Sequence, residues 1–170
     1  MQIRKATVSD IQEIMIIIDE AKASLKAQAI DQWQDGYPNE AVINHDIAQG
    51  QSYVVIKDGA IVATFMLALG PDSSYKVIEH GNWLCSGDAY YVVHRIAVAH
   101  RYRKQGIAQF IFSWIEQHHL SKAIPSIRID THKENQAMQK LLLSIGFNYC
   151  GIIYLETKSP RLAYERLKVI

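Results

Sequence analysis

His94-Arg95-Ile96-Ala97-Val98-Ala99-His100-Arg101-Tyr102-Arg103-Lys104-Gln105-Gly106-Ile107-Ala108 is the stretch that decides how this chain folds. It reads as the end of a strand, a basic turn and the start of a helix. The turn carries Arg-x-x-Gly-x-Ala at Arg103, Gly106 and Ala108. The first N–H groups of a helix have no partner inside it, and that end carries partial positive charge. Gly106 and Ala108 put little side chain in front of those groups, so an anion can approach the main chain closely. The pattern suits a diphosphate held on backbone N–H groups, with Arg101, Arg103 and Lys104 as neighbouring cations.

Working outward, the totals limit what surrounds this turn. A chain of 170 residues is most simply one domain, 1–170, long enough to bury about two-thirds of the surface its unfolded form exposes. Hydrophobic residues make up 49%, which suits a globular core. Lys+Arg number 18 against 17 Asp+Glu, for a net charge of +1. That balance argues against nucleic-acid binding through a broad basic face. The cluster at 101–104 is local and favours a small anionic ligand. Two cysteines, Cys85 and Cys150, make no disulfide framework, which points to a reducing cytoplasm. Arg4, Lys5, Asp10, Glu13 and Asp19 break up the beginning, which does not read as a signal peptide. No apolar run is long enough to span a membrane. Metal-capable side chains occur, His118-His119 among them, but with no zinc spacing, so no metal is expected.

The elements follow from periodicity and punctuation. Gln2–Ala6 is a strand candidate. Thr7-Val8-Ser9-Asp10 opens a helix as a capping box, with Ile11, Ile14, Met15 and Ile18 at helical spacing. Residues 31–38 form a loop, and Asn39 caps a second helix that stops at Gly50. Tyr53–Ile56 and Ile61–Leu69 are strands joined through Lys57-Asp58-Gly59, a hairpin signal. Residues 70–89 are mixed, with a short strand or turn around Tyr75–Glu79. Tyr90–Val98 is a strand. The helix after the basic turn carries Ile107, Phe110, Ile111, Trp114 and Ile115 on one face. Ile127–Asp130 is a strand, and Met138, Leu141, Leu142 and Ile145 mark a helix closed by Gly146. Strands follow at about 149–156 and 163–169, with a turn at Ser159-Pro160-Arg161. Strand–helix–strand over 90–130 implies a parallel pair inside an otherwise hairpin-linked, mixed sheet.

These residues resemble the GCN5-related N-acetyltransferases, which move an acetyl group from acetyl-coenzyme A to an amine. The likeness covers nearly the whole chain. It is most specific at Arg103, Gly106 and Ala108, and again at Asp130-Thr131, Asn135, Leu141 and Gly146-Phe147. It implies an α/β fold: a mixed, mostly antiparallel sheet with a central parallel pair, flanked by helices. It implies acetyl-CoA as donor, main-chain pairing of Ile96, Ala97 and Val98 with the pantetheine arm, and N–H groups from Arg103 through Lys104, Gln105, Gly106 and Ile107 to Ala108 on the diphosphate. Asn135 would contact the pantetheine or the nearby phosphate arm, and Lys140 would reach the nucleotide end. The family commonly has a tyrosine, the proton donor to the departing thiolate, where this chain has Leu142.

A missing acid does not forbid the reaction. A thiol pKa is near 8.5, and general-acid help is worth on the order of 10² to 10⁴. Juxtaposition of the reactants contributes on the order of 10⁵ M or more in effective molarity. Tyr149 is the preferred replacement acid, with Tyr90 and Tyr91 as alternatives. His94, placed by alternation on a face with Ile96 and Val98, is the preferred base; the other reading is a structural histidine. Glu79 and Asp88 are further candidates for the base. Trp33, Tyr37 and Trp83 are candidate walls of an aromatic acceptor pocket, though Trp33 also suits a ring that pins its loop. The acceptor is a small or peptide amine, and a homodimer through the last strands is open. Two rival functions stand beside acetyl transfer: a non-catalytic acyl-CoA-binding module, and transfer from another acyl-CoA.

Overall fold

Alternating burial and helical burial divide the chain into strands and helices much as the pattern requires. A computed structural model describes residues 1–168. It contains seven strands, mostly antiparallel with one parallel pair, and four α-helices. The chain falls into two compact units, Met1–Leu67 with His94–Trp114, and Ala68–Val93 with Ile115–Ile170.

The first unit begins with β1 (Gln2–Lys5) and α1 (Ile11–Ala27). A single 3-10 turn precedes α1, and there the Asp10 carboxylate reaches back to the Thr7 N–H at 2.7 Å. Arg4 donates to both oxygens of Asp10, at 2.7 and 2.9 Å. Ile14, Ile17 and Ile18 of α1 are buried with Ala6, Ile43, Val54, Ala97 and Ala99 in one apolar cluster. Each such isoleucine contributes roughly 1.5–3 kcal/mol through burial. Asn39 caps α2 (Glu40–Ala48), its side chain accepting from the Val42 N–H. Strands β2 (Ser52–Lys57) and β3 (Ala60–Leu69) form a hairpin through Asp58 (φ 51°) and Gly59 (φ 80°). Two successive left-handed residues are what a tight hairpin with matching twist requires. The strand order in this unit is β1-β2-β3-β4, ending on the last part of β4 (Tyr91–Val98). Most of α3 (Ile107–His118) also belongs here.

The second unit runs β3-β4-β5-β7-β6 from the end of β3 and the start of β4, with β5 (Ser126–Thr131), β6 (Asn148–Tyr154) and β7 (Pro160–Leu167). The β4–β5 pair is parallel, and its register covers Tyr91↔Ile127 and Val92↔Arg128. α4 (Gln136–Ser144) ends at Gly146 (φ 88°), after which the Phe147 N–H returns to the Leu142 carbonyl at 3.0 Å. Glu79 bridges to Ile152 of β6. A Cβ on Gly151 would stand 2.5 Å from the Glu79 carbonyl oxygen, so only glycine admits that segment.

Two expectations change here. Pro160 and Arg161 belong to β7, and the turn lies earlier, where the Leu155 N–H donates to Ser159 O and Lys158 takes φ 64°. Proline is tolerated there because it is the first residue of the strand. The strand expected over 163–169 therefore starts at 160; Val169 lies outside the described residues. In 70–89, where the sequence predicts a short strand or turn around Tyr75–Glu79, a 3-10 turn at Ser73–Tyr75 is followed by the bridge of Glu79 to Ile152.

Candidate active site

The basic turn leaves β4 through Ala99, whose N–H donates to Val62 O at 2.9 Å. A 3-10 turn, His100–Tyr102, follows. Its first amide, that of His100, donates to the Glu20 carboxylate at 2.7 Å. The Arg103 N–H closes back on His100 O at 3.3 Å. Lys104 then takes φ 60° and Gly106 φ 76° before α3 begins. From Lys104 through Ala108, no main-chain N–H donates to an acceptor among the described residues. A Cβ on Gly106 would meet nothing within 4 Å. Its positive φ favours glycine here, and the space in front of it is open, as the close approach of an anion requires.

Side chains of the turn hold its shape. Arg103 donates to Val98 O at 3.3 Å and to Ser24 Oγ of α1 at 2.9 Å. Gln105 donates to Arg101 O and accepts from Lys57 Nζ at 3.1 Å. The Arg101 guanidinium lies over the Tyr102 ring, 4.8 Å from its centroid. Of the three cations, Arg101 and Lys104 are exposed while Arg103 is half-buried as a brace. Ile107 is buried and Ala108 half-buried. Between α1 and the turn lies an open hollow of about 510 Å³ lined by Glu20, Ala23, Ser24, Ala27, Gln28 and His100.

On β4, Ala97 is buried while His94, Ile96 and Val98 are half-buried. Arg95 has φ 52°. A left-handed residue breaks the two-residue alternation of a strand. The alternation that placed His94 on one face with Ile96 and Val98 is thus interrupted between them, at Arg95. The Arg95 side chain, 11% exposed, forms a forked pair with buried Asp46 of α2, with both N–O distances 2.8 Å. Its third nitrogen, Nη1, donates to the Tyr37 hydroxyl at 2.5 Å. Burial disfavours the Arg95 charge, but Tyr37 and Asp46 outweigh it and hold the group more firmly protonated than usual. This network was not legible in the sequence: its members are 49 and 58 residues apart, and no local spacing joins them. Tyr37 stays 38% exposed, whereas Trp33, at φ 63°, packs on the apolar cluster of its unit and so pins its loop.

In the second unit Trp83 is part of an aromatic stack. Its Nε1 donates to Tyr75 O at 3.0 Å, and the Arg128 guanidinium lies between the Trp83 and Tyr90 rings, 4.3 and 3.8 Å from their centroids. Arg128 is paired with fully buried Glu165, which also accepts from Ser126 Oγ and the Leu84 and Cys85 amides. Tyr90 is buried, its hydroxyl accepting from the Asp72 N–H at 2.9 Å, and Tyr91 meets His119 edge-on. Tyr75, buried, donates to Asp130 at 2.7 Å; burial first and Asp130 second keep its phenol protonated well above the usual range. Asn135 caps α4, accepting from the Met138 N–H at 3.2 Å, and Lys140 is exposed. Leu142 is fully buried. Tyr149 is 48% exposed on β6, which is separated from β5 by β7, and its ring meets Tyr164. The Thr131 hydroxyl, at the end of β5, is buried with no hydrogen-bond partner among the described residues. Also among the described residues, no group of three or more His, Cys, Asp or Glu is placed to hold a metal ion, and no helix is long and apolar enough to cross a membrane.

With this geometry in place, comparison with known proteins is informative. The model of the acetyltransferase (GNAT) family matches residues 18–147. The chain belongs to the GNAT acetyltransferase family. A GNAT-family acetyltransferase from Streptococcus agalactiae is 38% identical, with a TM-score of 0.91 over 99% of this GNAT chain and 96% of the other. Two more distant structures share the fold. One is an acetyltransferase from Staphylococcus aureus at 21% identity, with a TM-score of 0.73 over 99% of this chain and 100% of that one. The other is the PaiA N-acetyltransferase of Thermoplasma acidophilum, solved in complex with coenzyme A, at 14% identity, with a TM-score of 0.70 over 98% of each chain. No curated protein sequence matches this GNAT chain.

Proposed function

We propose that this chain transfers an acetyl group from acetyl-CoA directly to an amine in a ternary complex. The observation that carries the reading is the run of unbonded amides from Lys104 to Ala108, at a helix start flanked by cations. Such a run matches the oxygens of a diphosphate in number and charge. Ile96, Ala97 and Val98 take the pantetheine arm by main-chain pairing, and Arg101 and Lys104 add charge to the diphosphate. The resemblance assigns Asn135 to the pantetheine or the nearby phosphate arm and Lys140 to the nucleotide end. Asn135 fits as well with its cap alone, since its Oδ1 is engaged by Met138. His94 is the base that relieves the amine of its proton, directly or through water. The PaiA neighbour's coenzyme A supports the donor class. Two free thiols, Cys85 and Cys150, fit a reducing compartment such as the cytoplasm.

Buried Leu142 favours a second reading, a module that binds acyl-CoA without turnover. Thermal denaturation with acetyl-CoA, followed by thiol release over a broad amine panel, separates the two. Acetyl transfer predicts a raised Tm and thiol release; binding alone predicts the first without the second. Gly106→Val, which cannot adopt φ 76° without strain, abolishes the shift. His94→Ala keeps the shift and slows release at neutral pH. A shift that survives Gly106→Val places the ligand elsewhere and overturns the reading.

A further inference from the structure

When a thioester is aminolysed the departing sulfur takes a proton, and we infer that the Tyr37 hydroxyl supplies it, with Arg95 and Asp46 as its positioning residues. This rests on the acyl-transfer reading above and deepens it. Asp46 is 3% exposed, and its two oxygens engage Nε and Nη2 of Arg95, which leaves Nη1 for Tyr37. A guanidinium has donors and no acceptor. The hydrogen in the Arg95–Tyr37 bond is therefore Arg95's, and the phenol's own hydrogen is directed away from the cation. A fixed positive charge at that oxygen stabilises the negative charge left when the hydrogen departs. The carboxylate of Asp46 fixes the guanidinium in turn, so the cation does not reorganise during the step.

Placement agrees with this role. Arg95 immediately precedes Ile96 in β4, so Tyr37 Oη stands one arginine side chain from the backbone that begins the Ile96–Val98 segment. The other tyrosines of the same unit suit the task less well. Tyr53 is 8% exposed and packs on Phe65 and Trp114. Tyr102 is braced at its ring face by Arg101 and Lys57, with no cation on its oxygen. Among the described residues of this unit, Tyr37 is the tyrosine that combines an exposed side chain with a fixed cation on its oxygen.

The amine nitrogen bonds to the thioester carbonyl carbon, and the carbon–sulfur bond breaks with its electron pair going to sulfur. Sulfur takes the Tyr37 proton and leaves as a thiol. The electron pair of the O–H bond remains on Tyr37 as a phenolate beside Arg95. The proton released by the attacking nitrogen passes to His94 or water and restores the phenol. Around Tyr37, Arg95 of β4 holds its oxygen, Asp46 of α2 holds Arg95, Lys22 of α1 donates to the neighbouring Pro38 carbonyl, and Asp35 of its own loop accepts from the Tyr37 N–H.

Thiol release from acetyl-CoA by the wild-type enzyme, with the amine panel, comes first. Absence of turnover across the panel overturns the acyl-transfer reading and this one with it. Given turnover, Tyr37→Phe lowers kcat on the order of 10²-fold or more, leaves the Tm shift with acetyl-CoA unchanged, and removes the alkaline limb of the pH–rate profile. A difluorinated tyrosine at position 37, more acidic and nearly the same shape, moves that limb to lower pH. Unchanged kcat in Tyr37→Phe, or an alkaline limb that ignores fluorination, overturns the assignment alone.

Discussion

Asp10 carries the clearest titration at the level of single residues. The hydrogen bonds from Arg4, helped by the Thr7 amide and hydroxyl, hold its carboxyl down at about 2, against 3.8 ordinarily. A depressed carboxyl stabilises the folded state above its ordinary pKa, and the contribution is lost as pH falls from about 4 to about 2. Arg4 is 40% exposed, so solvent screens the pair and the contribution at neutral pH is about 1–2 kcal/mol. Asp10→Asn is expected to lose that amount at pH 7, and to match the wild type once pH drops to about 2. Urea denaturation across that range checks it; a constant gap between the two proteins refutes it. Thr7 and Asp10 were legible as a capping box because the bond is local. Arg4's part was not, since a strand residue ahead of the cap carries no spacing signal toward it.

Among elements, the pair between α2 and β4 is the contact that local reading missed. Hairpin residues Asp58 and Gly59, the Asn39 cap and the Gly146 stop were all readable, because each satisfies a backbone need within a few residues. Asp46 was invisible for the opposite reason: on the helix pattern it is one polar position among several, and only the fold brings Arg95 to it. Arg95's positive φ was hidden too, since a non-glycine residue there has no compositional mark. Removing one partner leaves the other charge buried. Asp46→Ala is accordingly expected to cost about 3–5 kcal/mol, while Asp46→Ala with Arg95→Met costs clearly less. Equilibrium unfolding of the three proteins decides it; a double variant as unstable as the single one shows that packing, not charge, sets the cost.

For the molecule as a whole, ligand linkage gives the most direct number. Donor at about 100 times its Kd stabilises the folded state by about 2.7 kcal/mol. In a protein of 170 residues this corresponds to a rise in Tm of about 5–10 °C. The rise should grow with the logarithm of acetyl-CoA concentration, and a scan over several concentrations tests it; a plateau at small shift would mean comparable affinity for the unfolded chain. The overall charge of +1 hid the locality of the cations at 101–104, which the sequence nonetheless exposed through the spacing of Arg103, Gly106 and Ala108. What the spacing did not convey is that Arg103 turns inward to Ser24 and Val98, and that Gln105 is tied along the surface to Lys57. Beside the exposed Arg101 and Lys104, the unbonded donors of this loop are peptide nitrogens, atoms that almost every amino acid possesses. Its recognisable letters therefore encode a curvature of the chain more than a set of contacts, and a redesign that kept the curvature with different letters would keep the chemistry.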